Sequence, residues 1–164
     1  MYSPEKAFTC CFTGHRIITG ESKISVFNQL CDTVRELYLN GTTNFVSGGA
    51  LGFDTLAAFA VLHLKRKFPG MKLILALPCR DQDAKWSRGN KETYRKILDA
   101  ADEIICLNKS YCIGCMHQRN HLMVDLSTVC VAYCKKTSGG TAYTMNLAKS
   151  EGLKVINLAE LSHN

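Results

Sequence analysis

The sequence predicts an α/β protein, a Rossmann-like three-layer sandwich around a mainly parallel sheet. Short apolar runs alternate with amphipathic helical patterns over short connections, which favours right-handed crossovers and parallel strands. Most runs are continuously apolar, as is typical of strands covered on both faces. Two glycine-containing turns each lie between a predicted strand and a predicted helix. A length of 164 residues indicates a single domain over residues 1–164.

The predicted strands and helices alternate along the whole chain. The strands cover residues 7–12, 43–47, 72–77, 103–107, 129–133 and 154–158. The first helical stripe runs from Phe27 to Tyr38 with three-and-four spacing, and Asn40-Gly41 ends it. The other helical patterns cover residues 56–64, 94–101, 116–126 and 142–151. In such sheets, ligands bind outside the carboxyl ends of the strands.

The two glycine turns predict an anion site at that edge. The first contains Ser47-Gly48-Gly49, and the second contains Ser138-Gly139-Gly140-Thr141. A strand–glycine–helix junction exposes backbone N–H groups at the positive end of a helix, and glycine lets an anion approach the chain. Two such turns in one α/β chain therefore indicate a ligand that carries phosphate.

A third motif follows the first predicted strand. Gly14, His15 and Arg16 place a turn, a titratable imidazole and a permanent cation at the carboxyl edge. His15 and Arg16 could contact an anionic ligand. They could equally be surface side chains beside a glycine turn, and the motif alone leaves both interpretations open.

Composition and charge narrow the class of protein. The net charge of +6 is scattered, so a nucleic-acid partner is possible but not favoured. The sequence shows no secretion signal and no apolar run of membrane-spanning length, so we expect a soluble cytoplasmic protein without a membrane partner. In that compartment the 9 cysteines are expected to be reduced thiols.

Several motifs together resemble one superfamily. Residues 46–58 resemble the strand–turn–helix signature of the DprA/SMF proteins, and residues 116–123 resemble a helix of the Lonely Guy phosphoribohydrolases. Both families belong to the SLOG superfamily, whose Rossmann-like fold binds nucleotides or nucleotide-derived ligands. The chain is most similar to the YpsA-like branch, through residues 13–16, 49–54 and 114–120 and through Gln82 with Trp86.

The resemblance implies a ligand-binding set. In it, Arg119 adds a charge-assisted contact, Asp54 bonds a ribose hydroxyl or holds the first turn, and Trp86 stacks on a base or serves packing. The phosphate would be cradled by Gly48, Gly49, Gly139, Gly140 and Thr141. The full set is Gly14, His15, Arg16, Ser47, Gly48, Gly49, Asp54, Trp86, Arg119, Asn120, Ser138, Gly139, Gly140 and Thr141.

One departure from the resemblance bears on catalysis. Met145 and Asn146 occupy the positions of the glutamate pair on which the phosphoribohydrolases depend, and neither can protonate a leaving group. We therefore predict a non-catalytic sensor or regulator that binds a nucleotide-derived ligand, with no other cofactor and with a homodimer possible. The alternatives are a nucleotide N-glycosidase using another carboxylate, such as Asp54 or Asp125, and a DprA-like protein that binds single-stranded DNA.

A cysteine–histidine cluster is a candidate metal site. Cys112, Cys115, His117 and His121 could supply four zinc ligands, but their spacing is not that of a usual zinc module. We predict no metal site and reduced thiols at a loop–helix junction. A reactive thiol at Cys115 is an alternative, because a helix N-terminus lowers the pKa of a thiol.

Overall fold

A computed structural model of the chain describes residues 2–161, apart from the side chains of Glu21 and Leu161. The strands within this range are β1 (Thr9–Gly14), β2 (Asn44–Ser47), β3 (Lys72–Leu77), β4 (Glu103–Cys106), β5 (Val129–Tyr133) and β6 (Lys154–Asn157). The α-helices are α1 (Gly20–Leu39), α2 (Phe53–Lys65), α3 (Arg88–Ala100), α4 (Cys115–Asp125), α5 (Gly140–Ser150) and α6 (Leu158–Leu161). Among the described residues, no helix is both long and apolar enough to cross a bilayer.

All strand pairs are parallel, in the order β4-β3-β2-β1-β5-β6. The chain winds outward from β1 to β4 and then returns through α4 to pair β5 with the other side of β1. The topological switch point, where ligands bind in sheets of this kind, therefore lies between β1 and β5. The predicted fold class, a Rossmann-like sandwich with a parallel sheet, is confirmed.

The sheet separates two apolar layers because successive strand residues point to opposite faces. Phe12 of β1 and Phe45 of β2 face the layer formed with α1, α2, α3 and α6. Cys11 and Val46, their neighbours in sequence, face the layer formed with α4 and α5. This burial on both faces explains why the strands are continuously apolar in the sequence.

The helices α1 and α3 begin seven and six residues before their predicted starts, and among the strands the predicted boundaries differ most at β1. Residues Lys6–Phe8 form a short 3-10 helix, so the strand begins at Thr9 and continues to Gly14. The carbonyl of Phe8 still accepts a hydrogen bond from Thr43, which aligns the entry to β2. The extension to Gly14 brings the motif that follows β1 directly beside Tyr133 of β5.

Candidate functional site

A cavity of about 280 Å³ opens at the switch point between β1 and β5. The end of β1 supplies one wall, and the first turns of α4 and α5 supply others. Helix N-termini carry unpaired amides and partial positive charge, so this arrangement favours an anion. The lining consists of Phe12, Thr13, Gly14, His15, Arg16, Ala50, Asp54, Met116, His117, Arg119, Asn120, Gly140 and Thr141.

The cavity gathers most of the residues singled out from the sequence. Those in its lining are Gly14, His15, Arg16, Asp54, Arg119, Asn120, Gly140 and Thr141. Those outside its lining are Ser47, Gly48, Gly49, Trp86, Ser138 and Gly139. The two glycine turns, which look alike in sequence, therefore contribute unequally.

The amides of the first glycine turn are occupied by the chain's own side chains. The N–H groups of Gly48 and Ala50 donate to the Asp54 carboxylate, that of Ala50 over 3.3 Å to Oδ2. The N–H of Gly49 donates to Ser47 Oγ over 3.2 Å, and this hydroxyl donates to the Asp54 carbonyl. In the structure, Asp54 and Ser47 therefore accept hydrogen bonds at the turn where the sequence predicted a phosphate.

Arg119 links α4 to the same glycine turn. Its side chain is 4% exposed, and Nη1 donates to the Gly48 carbonyl over 2.6 Å. Nε donates to Asn120 Oδ1 over 2.8 Å, and Gln82 Oε1 lies 3.4 Å from Nη1. The predicted charge at the site is therefore present, but much of its hydrogen-bonding capacity is used within the protein.

Burial shifts the titration of both charged groups at the floor of the cavity. Desolvation raises the pKa of Asp54, and the charge of Arg119 and the amide of Ala50 oppose that shift. Desolvation lowers the pKa of Arg119, while the Asp54 carboxylate opposes the change. Each group thus favours the ionised form of the other, as expected for opposite charges that share a buried site.

Glycine is required at position 48 because these two side chains close around it. A Cβ on Gly48 would lie 2.5 Å from Arg119 Nη1 and 2.8 Å from Asp54 Oδ2. No larger residue fits without moving the guanidinium or the carboxylate. The absence of a Cβ at this position thus allows the guanidinium and the carboxylate to pack closely against the turn.

His15 ties the end of β1 to the loop that follows β5. The backbone N–H of Lys135 donates to His15 Nε2 over 2.9 Å, so the proton of the neutral ring lies on Nδ1. Desolvation lowers the pKa of His15, and the charges of Lys136 and Lys135 lower it further. The neutral ring can thus offer one N–H to the cavity while it holds the loop.

The second glycine turn is open. Gly139 precedes α5 with φ +100° and no side chain caps the helix. The first turn of α5 holds no acidic residue, and a Cβ on Gly140 would meet nothing within 4 Å. Gly140 and Thr141 both line the cavity, whereas the exposed Ser138 does not. The first amides of α5 therefore have no side-chain cap, in contrast to the amides of the first glycine turn.

Trp86 lies away from this cavity. It lines a separate cleft of about 240 Å³, and its ring packs edge-on against Tyr94 with centroids 5.1 Å apart. Gly52 also borders that cleft, and a Cβ there would lie 2.3 Å from the Arg16 carbonyl oxygen. Of the two roles considered for Trp86, the structure shows the packing contact.

Five lining residues were absent from the predicted set, namely Phe12, Thr13, Ala50, Met116 and His117. Met116 and His117 follow the start of α4 and share the cavity with Asn120. Their position at a helix start, three and four residues before Asn120, was the available signal. His117 also packs edge-on against Tyr143 of α5, which ties the two helix starts together.

The cysteines and histidines of the candidate metal cluster lie against different neighbours. Within residues 2–161, no group of three or more His, Cys, Asp or Glu side chains is placed to hold a metal ion. His121 Nε2 lies 3.2 Å from the Tyr143 hydroxyl, while the Cys115 thiol contacts the thiols of Cys112 and Cys79. The histidines and cysteines are thus held by different neighbours.

The two positions aligned with the glutamate pair also lie outside the cavity lining. Met145 is buried in a small apolar cluster with Cys134 and Ala142. Asn146 is exposed on α5. Neither side chain is placed to act on a ligand in the cavity.

The structure defines a Rossmann-like α/β protein with a cavity at its topological switch point. The model of the YpsA family, described as the YspA SLOG family, matches residues 19–158, so the chain belongs to this family. The assignment to the SLOG superfamily and its YpsA-like branch is thereby confirmed.

Two curated relatives support the assignment. The chain is 36% identical over 117 residues to the uncharacterized SPbeta prophage-derived protein YoqJ of Bacillus subtilis, covering 64% of this chain and 68% of that protein. It is 30% identical over 132 residues to a UPF0398 protein of Shouchella clausii, covering 78% of this chain and 68% of that protein.

Solved structures of DNA processing protein A share the fold. The Streptococcus pneumoniae protein superposes with a TM-score of 0.64 at 21% identity, over 91% of this chain and 49% of that one. The Helicobacter pylori protein gives 0.62 at 24% identity, over 92% and 64%. The chain thus spans about half the length of the Streptococcus protein.

Gly48→Ala is expected to destabilise the protein by about 2 kcal/mol, because the new Cβ overpacks against Arg119 and Asp54. Gly89→Ala is the matched control, since Gly89 lies in α3 with open space around it and alanine favours the helix. Urea unfolding of both variants measures the difference. A Gly48→Ala protein as stable as the parent would contradict the packing described for the first turn.

His15 is expected to make stability depend on pH in the weakly acidic range. Its pKa is lowered on folding, so the unfolded chain binds the proton more readily. The contribution of His15 is fully present above the unfolded pKa of about 6.5 and is lost as the pH falls through the folded pKa. The free energy of unfolding of the parent, minus that of His15→Gln, should therefore fall below about pH 6.5. Parallel curves, or a relative gain in acid, would show that the neutral ring does not hold the loop.

Proposed function

We propose that the cavity binds a nucleotide or a nucleotide-derived small molecule, with its phosphate at the N-terminus of α5. The observation that carries this proposal is the open helix start at Gly140 and Thr141. The first amides of a helix have no partner within it, and the helix dipole adds partial positive charge there. A phosphate can accept hydrogen bonds from these amides, and its negative charge is attracted by the helix dipole. Gly140 leaves the space that such an anion needs.

The opposite side of the cavity supplies further donors for an anion. Arg16 is exposed at the cavity edge and can pair with phosphate oxygens through two N–H groups. His15 keeps an N–H on Nδ1 for the ligand while Nε2 accepts from Lys135. These donors surround the approach to α5, so the phosphate end of the ligand belongs there.

The size and the floor of the cavity favour a compact ligand. A volume of about 280 Å³ is near the lower end for small-molecule pockets. Asp54 lines the floor, where a carboxylate can accept a hydrogen bond from a sugar hydroxyl. A mononucleotide or a derivative of similar size suits these features better than a dinucleotide.

We favour a sensor or regulator over a hydrolase. Met145 and Asn146 lie outside the lining, and the Asp54 carboxylate already accepts the amides of Gly48 and Ala50. A carboxylate committed to holding a turn is poorly suited to deliver a proton to a leaving group. Nucleoside monophosphates incubated with the protein are therefore expected to remain intact.

Single-stranded DNA is the second candidate ligand. Lys135 and Lys136 extend the positive charge from Arg16 along the loop before α5. The Helicobacter pylori structural neighbour is described as binding single-stranded DNA. The salt dependence of the affinity distinguishes the two candidate ligands, because binding of a DNA strand through surface phosphate contacts weakens steeply with salt.

Gly140→Val is expected to weaken binding of the best ligand in a nucleoside mono- and diphosphate panel at least tenfold, about 1.4 kcal/mol. The valine side chain would occupy the space in which the phosphate approaches the α5 amides. Isothermal titration calorimetry on both proteins measures the change, with chromatography of the same samples to detect released base.

Gly20→Val is the matched control, because Gly20 is also the first residue of a helix with open space around it. It should leave nucleotide affinity unchanged. Unchanged affinity in Gly140→Val would remove the basis for a phosphate at α5. Nanomolar binding of single-stranded DNA at physiological salt, lost in Lys135→Glu/Lys136→Glu, would favour the second candidate.

A further inference from the structure

The turn that leads into α4 brings two cysteines close together in space. Cys112, Ile113, Gly114 and Cys115 form a β-turn in which the N–H of Cys115 donates to the Cys112 carbonyl over 3.2 Å. Gly114, with φ 85° and ψ −2°, takes the third position of a type II turn. The first and fourth Cα atoms of a β-turn lie within about 7 Å, close to the range that a disulfide spans.

The two cysteines lie at the two ends of one turn, and they differ in access to solvent. The Cys115 thiol lies near enough to Cys112 to contribute, after desolvation, to the raised pKa of Cys112. Cys112 is exposed, whereas Cys115 is 1% exposed as the first residue of α4. The pair thus combines one sulfur that a reagent can reach with a second that lies directly behind it.

Other cysteines lack this combination. Cys11 and Cys130 are hydrogen-bonded neighbours, but both are buried in the sheet. Cys79 contacts Cys115 from the loop after β3, and it is fully buried. Among the cysteines described, Cys112 alone is exposed. A reagent in solution is therefore expected to react first at Cys112.

We propose that Cys112 and Cys115 are a redox-active dithiol that undergoes exchange with low-molecular-weight disulfides. The Cys112 thiolate attacks the small disulfide, which forms a mixed disulfide and releases one small thiol. The Cys115 thiolate then attacks the Cys112 sulfur, which forms the intramolecular disulfide and releases the second small thiol. The protein loses two electrons and two protons, and the small disulfide gains them.

The site adjoins the ligand cavity without depending on what the cavity binds. Met116 and His117, which line the cavity, directly follow Cys115 in α4. Desolvation raises the pKa of Cys112, and the neighbouring Cys115 thiol raises it further. Exchange should therefore be slow at neutral pH and should accelerate as the pH rises.

The test uses the folded 164-residue chain with oxidised glutathione. After acid quenching and alkylation, trypsin releases residues 110–119, which contain Cys112 and Cys115 and no other cysteine. The expected result is a 110–119 peptide that lacks two hydrogen atoms and resists alkylation until it is reduced. Cys31→Ser, which removes a half-buried thiol of α1, should leave this result unchanged.

Cys112→Ser should abolish the internal disulfide and leave the buried Cys115 unmodified. A mixed disulfide that persists on Cys112 beside a free Cys115 would overturn the proposal. So would a cross-link between residues 110–119 and residues 73–80, since it would pair Cys115 with Cys79. Earlier oxidation of any other cysteine pair would do the same.

Discussion

The hydrogen bond from buried Arg119 to the carbonyl of Gly48 is the contact on which the site depends. It joins α4 to the turn between β2 and α2 across the carboxyl edge of the sheet. Asp54 also lies beside Gly48, close to Arg119, and supplies the opposite charge. A buried charge left without compensation is strongly destabilising. Substitution of any one of the three residues is therefore expected to disturb the other two.

This arrangement explains why two similar glycine turns have different roles. In the first turn the chain provides its own anion, since Asp54 accepts the amides that a phosphate would otherwise bind. In the second turn no acidic residue follows Gly139, and α5 begins without a side-chain cap. We infer that the first turn builds the floor of the cavity and the second receives the ligand.

Much of the fold follows from sequence pattern, because strands buried on both faces leave continuous apolar runs such as residues 72–77. The motif after β1 and the start of α4 were also placed at the correct edge, since the carboxyl ends of parallel strands share one side of the sheet. The role of Gly48 could not be predicted from the sequence. Its neighbours there, Arg119 and Asp54, meet only after the chain has folded. The resemblance to the YpsA-like branch assigned Trp86 to the site, but Trp86 packs on Tyr94 in another cleft.

The most direct test of the central claim is a crystal structure of the protein with a bound nucleotide. The account predicts a phosphate within hydrogen-bonding distance of the Gly140 and Thr141 amides, with the Asp54 carboxylate still bonded to the amides of Gly48 and Ala50. A phosphate bound by the amides of Gly48 and Gly49, with Asp54 displaced, would contradict it.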